Sequence, residues 1–293
     1  MKAQIQKIFN KFGYQISNTR KNYDLSLYEK LFESNSIKNK KFFNIGSADF
    51  FHPAWSNVDF VSKWYDANTK YTNKGNIDIE YDLMSLEPFP LKSDYAEIVY
   101  CSHTVEHISN DAAQNLFNES FRILKNDGVF RVTTPNIDLV HKAYVRNDKD
   151  FFYWIVGELP PIKDGEAQYK KLDDFSTDQN FLFYFASILS LASNDSAKKI
   201  DDTELRKIFD AYPYEDALNH IIDMIPPQTN KKYPGLHMNW WNFSKLSRML
   251  KKAGFNDVYL SAYGQSSSPV LRDTAFFDNT HPKVSIYVEA RKS

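Results

Sequence analysis

A doubly wound α/β sheet with a large, mostly helical insertion after its fifth strand is the fold this chain of 293 residues predicts. Three observations lead there. Between residues 41 and 135, short apolar, β-prone runs alternate with turns and one helix-period segment. About a hundred residues of helical pattern then break that rhythm. A helix and two further strands restore it from residue 236 onward.

The N-terminal stretch MKAQIQKIFNKFGYQI sets Ile5, Ile8, Phe9 and Phe12 at helical spacing with lysines between them, so residues 1–40 read as a helical extension. Packing on the domain and a peripheral membrane contact through residues 1–16 both suit this pattern. A secretory leader is not expected, because the stretch lacks a continuous apolar segment and a small-residue cleavage site. In KFFNIGSAD, Phe42, Phe43 and Ile45 form a first strand that ends at Gly46. Glycine there takes positive φ and admits close approach to the backbone, although an ordinary turn explains it equally well. WSNVDFV supplies a second strand, with Asp59 thirteen residues past Gly46. Parallel strands are normally joined by about a dozen residues or more, so the intervening helix must shrink to roughly a turn. GNIDIEYDL, alternating Ile77, Ile79 and Tyr81, is a third strand closing at Asp82. SLEPFPLKSD is a proline-punctuated loop.

YAEIVYC is a buried fourth strand that delivers SHTVEH at its end. Ala113, Leu116, Phe117, Phe121 and Leu124 share a helical face, with Asn126 to Gly128 closing that helix before the fifth strand, GVFRVTTP. Residues 136–235, carrying FFYWIV, FLFYFASILSLA and DDTELRKIFDAYPYEDALNHIIDMI, form the insertion or lid. The core of residues 41–135 resumes over 236–293. There Phe243, Leu246, Leu250 and Ala253 line a helix ended by Gly254, and DVYLSAY and VSIYVEA are the last strands, joined by a serine-rich loop.

Composition narrows the function. Lys and Arg total 36 against 37 Asp and Glu, so no global field favours nucleic acid. A single cysteine, Cys101, excludes an internal disulfide and fits a reducing, cytoplasmic setting. The longest apolar run, Phe181 to Ala192, is interrupted by Ser187 and Ser190 and is too short to be transmembrane. No Cys/His spacing announces zinc, and no carboxylate set announces magnesium.

Taken together, FNIGSADFFHPAWSNVD, EYDLMSLEPFPLKSDYAEIVYCSHTVEHI, FRILKNDGVFRVTTPN, YPGLHMNWWNFSKLSRMLKKAGF and SSSPVLRD resemble a class I S-adenosylmethionine-dependent methyltransferase. The likeness is to the methyltransferase type 11-like subgroup often found in surface-glycan gene clusters. The resemblance implies a Rossmann-like sheet of seven strands with the last antiparallel, S-adenosylmethionine as cofactor, and a small-molecule or glycan acceptor such as a sugar nucleotide or lipid-linked sugar. It also implies a cofactor site of Gly46, Ser47, Asp59, Asp82, Leu83, Ser102 and His103. In that reading Asp59 accepts from the ribose hydroxyls, and Asp82 accepts from the adenine amine with Leu83 against the ring. The sequence agrees in one respect: Ala48 stands where a dinucleotide fingerprint needs its second glycine, and S-adenosylmethionine has no phosphate to cradle.

Other readings stay open beside these. Asp59 and Asp82 also suit turn caps. His107 suits a bond within the fold. His103 and His237 are the candidate bases for an acceptor hydroxyl, since imidazole titrates near neutral pH. Asn239 and Trp240, with Trp241, suit an acceptor floor or the core. Ser267 and Arg272 suit a phosphate, or a solvated loop in which Arg272 pairs with Asp273 or Asp278. A non-catalytic binding protein on the same fold and an NAD-dependent oxidoreductase are the rival functions.

Overall fold

The computed structural model describes residues 23–61, 77–152, 175–193 and 197–293. The amphipathic stretch 1–16 lies outside them. Two short helices, α1 (Ser26–Leu31) and α2 (Ser34–Lys38), lead into the sheet.

Seven strands form one sheet in the order β3-β2-β1-β4-β5-β7-β6. They are β1 (Phe42–Ile45), β2 (Trp55–Asp59), β3 (Ile79–Glu80), β4 (Ala96–Ser102), β5 (Leu124–Pro135), β6 (Asp257–Ser261) and β7 (Ser285–Arg291). The first five pair in parallel, and β7 runs antiparallel to both β5 and β6. The sheet thus has the seven strands and the reversed last strand that the sequence resemblance implied.

The connection from β1 to β2, residues 46–54, contains bends and turns but no helix, as the short spacing required. The third strand is shorter than the alternation suggested. Only Ile79 and Glu80 pair with β2, and Tyr81 donates its N–H to Asp59 O at 2.8 Å as the chain leaves. Helix α3 (Asn110–Ile123) begins at Ser109, whose hydroxyl accepts from Ala112 N. It does not close at Asn126 to Gly128 as expected. Leu124 already has extended dihedrals, φ −65° and ψ 140°, so helix passes straight into strand. Positive φ at Asp127, 66°, then turns the chain within β5.

The insertion opens with α4 (Ile137–Val145). FLFYFASILSLA divides into α5 (Thr177–Phe185) and a tight turn over 187–189, because Ala186 leaves helical space at φ −139°. Pro213 separates α6 (Asp202–Ala211) from α7 (Tyr214–Asp223), since its missing N–H cannot continue α6. Helix α8 (Phe243–Ala253) ends at Gly254, φ 114°, as its sequence predicted, and starts on the Asn242 side chain, which accepts from Lys245 N.

Alternate residues of the strands feed two cores. Phe43, Ile45, Val99, Cys101, Phe130 and Val132 pack with α3 and α8 on one face. Phe42, Trp55, Ile98 and Tyr100 pack with Tyr28, Phe276 and Phe277 on the other. A third core belongs to the insertion and takes in Trp240, while its neighbour Trp241 joins the first. Near the far edge, fully buried Arg131 forks onto Asp278 at 2.9 and 2.6 Å and reaches Glu289 at 2.9 Å. No helix among the described residues is long and apolar enough to cross a membrane.

Candidate functional site

Parallel register brings the strands' carboxyl ends to one edge. Ile45 pairs with Val58 on one side and Cys101 on the other, and Val58 pairs with Ile79. Gly46, Asp59, Asp82 and His103 therefore leave the sheet side by side. Gly46 has φ 68°, and a Cβ added to it would lie 2.6 Å from Thr104 Cγ2. The close approach this glycine permits is made by Thr104, from the end of β4. Asp59 gathers the following turn: its Oδ2 accepts from Ala48 N at 2.8 Å and Ser47 Oγ at 3.3 Å, and its Oδ1 accepts from Phe60 N. Asp82 is exposed and caps the turn Leu83–Ser85 by accepting from Met84 N at 2.9 Å, with Leu83 packed against the core.

His103 follows β4 with φ 49°, a left-handed conformation that non-glycine residues adopt at a cost and that clusters at functional sites. Its Nε2 meets Ser285 Oγ at 2.7 Å, its Nδ1 lies 3.1 Å from Glu106 Oε1, and its side chain is only 9% exposed. The neighbouring Ser102 hydroxyl bonds Thr133 Oγ1 at 2.9 Å.

Three residues after His103 stands an acid that sequence reasoning passed over. Glu106 is 1% exposed, and its Oε2 accepts from Thr134 Oγ1 at 3.1 Å. Burial alone would raise its carboxyl, but the imidazoles of His103, His107 and His237 hold it at about 2. His107 donates from Nδ1 to Leu236 O at 3.1 Å, and burial lowers its pKa against the pull of Glu106. His237 donates from Nδ1 to Tyr184 O at 2.6 Å, and burial, then His107, push it down to about 4. Their rings meet edge to face at 4.8 Å. The signal was present in HTVEH, an acid flanked by two histidines, but its partner His237 arrives only where the insertion returns. That return is stitched here: Met238 N donates to Glu106 O, and Asn230 Nδ2 to His107 O.

The expected acceptor floor is spent inside the fold. Asn239 donates to Ile108 O and Asn110 Oδ1, and accepts from Trp240 N and Lys245 Nζ. Trp240 is 1% exposed and donates to Asn219 Oδ1. On the β6–β7 connection, Ser267 gives its N–H and hydroxyl to Glu289. Arg272 is exposed, with Nε on Ser266 O at 2.7 Å, and Asp278 is held by Arg131 instead.

Residues 54–132 match the family model described as Methyltransferase domain. No curated protein matches the chain. Among solved structures, a possible histamine N-methyltransferase from Thermotoga maritima is 10% identical, with 86% of this chain and 81% of that one covered and a TM-score of 0.37. An S-adenosylmethionine-dependent methyltransferase from Mesorhizobium loti is 13% identical, covering 91% and 95%, with a TM-score of 0.38. One from Archaeoglobus fulgidus is 12% identical, covering 86% and 85%, also at 0.38. The chain spans only 61% and 55% of two further similar structures, a Bordetella parapertussis protein and the methyltransferase SibL.

Proposed function

We infer that this class I S-adenosylmethionine-dependent methyltransferase acts on a hydroxyl- or phosphate-bearing small acceptor, such as a sugar nucleotide or glycan of surface polysaccharide assembly. The observation that carries the reading is the row of Gly46, Asp59, Asp82 and His103 along the carboxyl edge of a sheet ordered 3-2-1-4-5-7-6.

The residues present suit the cofactor. An exposed carboxylate at Asp82 and a half-buried one at Asp59 are acceptors that suit an amine and ribose hydroxyls, and Leu83 offers an apolar face. S-adenosylmethionine supplies an electrophilic methyl on sulfur. The protein's part is to align the acceptor, exclude water and take a proton where the nucleophile is a weak hydroxyl. His103 suits that last task, with Glu106 behind Nδ1 and Nε2 exchanging Ser285 for an acceptor hydroxyl. Arg272, exposed on the loop leaving the same edge, supports a phosphate-bearing acceptor. The glycan setting rests on the sequence resemblance.

Calorimetry with S-adenosylhomocysteine, followed by methyl transfer to a panel of sugar nucleotides and oligosaccharides, tests this. Asp59→Ala should weaken binding roughly tenfold or more, in line with hydrogen bonds to a charged group. His103→Ala should leave that affinity intact while turnover falls on the order of 100-fold. No binding by the wild type would overturn the reading.

A further inference from the structure

We propose that Glu106, His107 and His237 form a binding site for a divalent transition-metal cation of the zinc class. Their ligand atoms all lie within 4.8 Å of one another. Because a carbonyl can only accept, the contacts to Leu236 O and Tyr184 O place the proton of each ring on Nδ1. Each Nε2 then carries a lone pair, and each ring is oriented by a backbone carbonyl behind it, the outer-shell arrangement that metal-binding histidines use.

The carboxylate supplies the independent observation. Glu106 Oε1 is buried and has no hydrogen-bond partner, although His103 Nδ1 is 3.1 Å away and His107 Nε2 4.0 Å. His103 Nδ1 is near enough to pair with this oxygen but is not aligned on it as a hydrogen bond. A cation is the group that would satisfy this oxygen together with two imidazole lone pairs.

The donor set selects the metal. Two imidazoles with one carboxylate suit zinc and its first-row neighbours, whereas magnesium and calcium prefer all-oxygen shells. Bonds of about 2.1 Å place ligand atoms about 3.4 Å apart around a tetrahedral ion. Side-chain rotations of roughly an ångström close the present spacing. Three protein donors leave a position for water or another exogenous oxygen. Because His237 sits where the insertion returns and Glu106 follows β4, the ion also ties the insertion to the sheet.

The test starts from chelator-treated full-length protein, titrated calorimetrically with Zn2+, Mn2+ and Mg2+ and examined with Co2+ for the visible absorption of a tetrahedral site. The expected result is one equivalent of Zn2+ per chain, bound on the order of 100-fold more tightly than Mg2+, with a raised Tm. Glu106→Gln and His237→Gln should lose both effects, and His220→Ala, on the insertion surface, should lose neither. S-adenosylhomocysteine titration of the same variants shows that they are folded. It also separates failure of this site from failure of the methyltransferase reading. His107→Asp, which keeps a ligand, should retain part of the binding. Equal zinc uptake by wild type and both glutamine variants, or none by wild type, overturns the site and leaves an imidazole–carboxylate network alone.

Discussion

Gly46 shows how a residue read as cofactor-facing is constrained first by its own fold. Its positive φ and the Thr104 side chain in the place of a Cβ both oppose any substitution. Gly46→Ala should cost about 1–2 kcal/mol from backbone conformation alone, with a further loss from displacing Thr104. In urea denaturation, Gly46→Ala/Thr104→Gly should recover the steric part and keep the conformational part; no recovery would mean that packing there is not the constraint. Asp59 was legible as a strand-end acid, yet only the structure shows its carboxylate gathering Ser47, Ala48 and Phe60. Glu106 was not legible as a hub. Two of its imidazole neighbours are visible in HTVEH, but the third is brought in by tertiary folding across the insertion, which periodicity and spacing do not encode.

Among elements, those with an unbroken period and a clear stop could be read closely. Helix α8 is bounded by Asn242 and Gly254, and β4 by its apolar run. The α3–β5 junction could not, because Asn126 to Gly128 carries the chemistry of a helix stop but serves as a turn inside a strand. Nor was Arg131 expected in the interior, where it bonds Asp278 from the β6–β7 connection and Glu289 from β7. Glu289 in turn accepts from Tyr259 Oη on β6 and from the Ser267 hydroxyl. Removing the guanidinium strands two buried carboxylates, so Arg131→Met should destabilise the protein by roughly 3–5 kcal/mol. Arg131→Lys should recover little, because an ammonium cannot fork onto Asp278. Chemical denaturation of the two variants checks this, and a near-neutral Arg131→Met would show that the cluster contributes no net stability.

Across the whole molecule, adjacent residues Trp240 and Trp241 enter different cores, and Lys245 lies over both rings at 4.2 and 4.5 Å. The insertion's stability is therefore coupled to that of the sheet. His141 on α4 reports on the insertion: it is packed among Tyr144, Phe181, Phe209 and Tyr214, and burial lowers its pKa from 6.5 against the opposing pull of Asp138. The folded state then binds fewer protons than the unfolded state below pH 6.5, so this contribution to stability declines as the pH falls. Tm measured from pH 7 to pH 5 should drop less steeply in His141→Gln than in wild type, and parallel slopes would remove His141 from the account. The reversed β7 has a consequence for biosynthesis. It is made after the other six strands yet takes an interior place between β5 and β6. Until it emerges, β5 keeps a bare edge and β6 has no neighbour, so a nascent chain stalled before Ser285 presents an open template for aggregation.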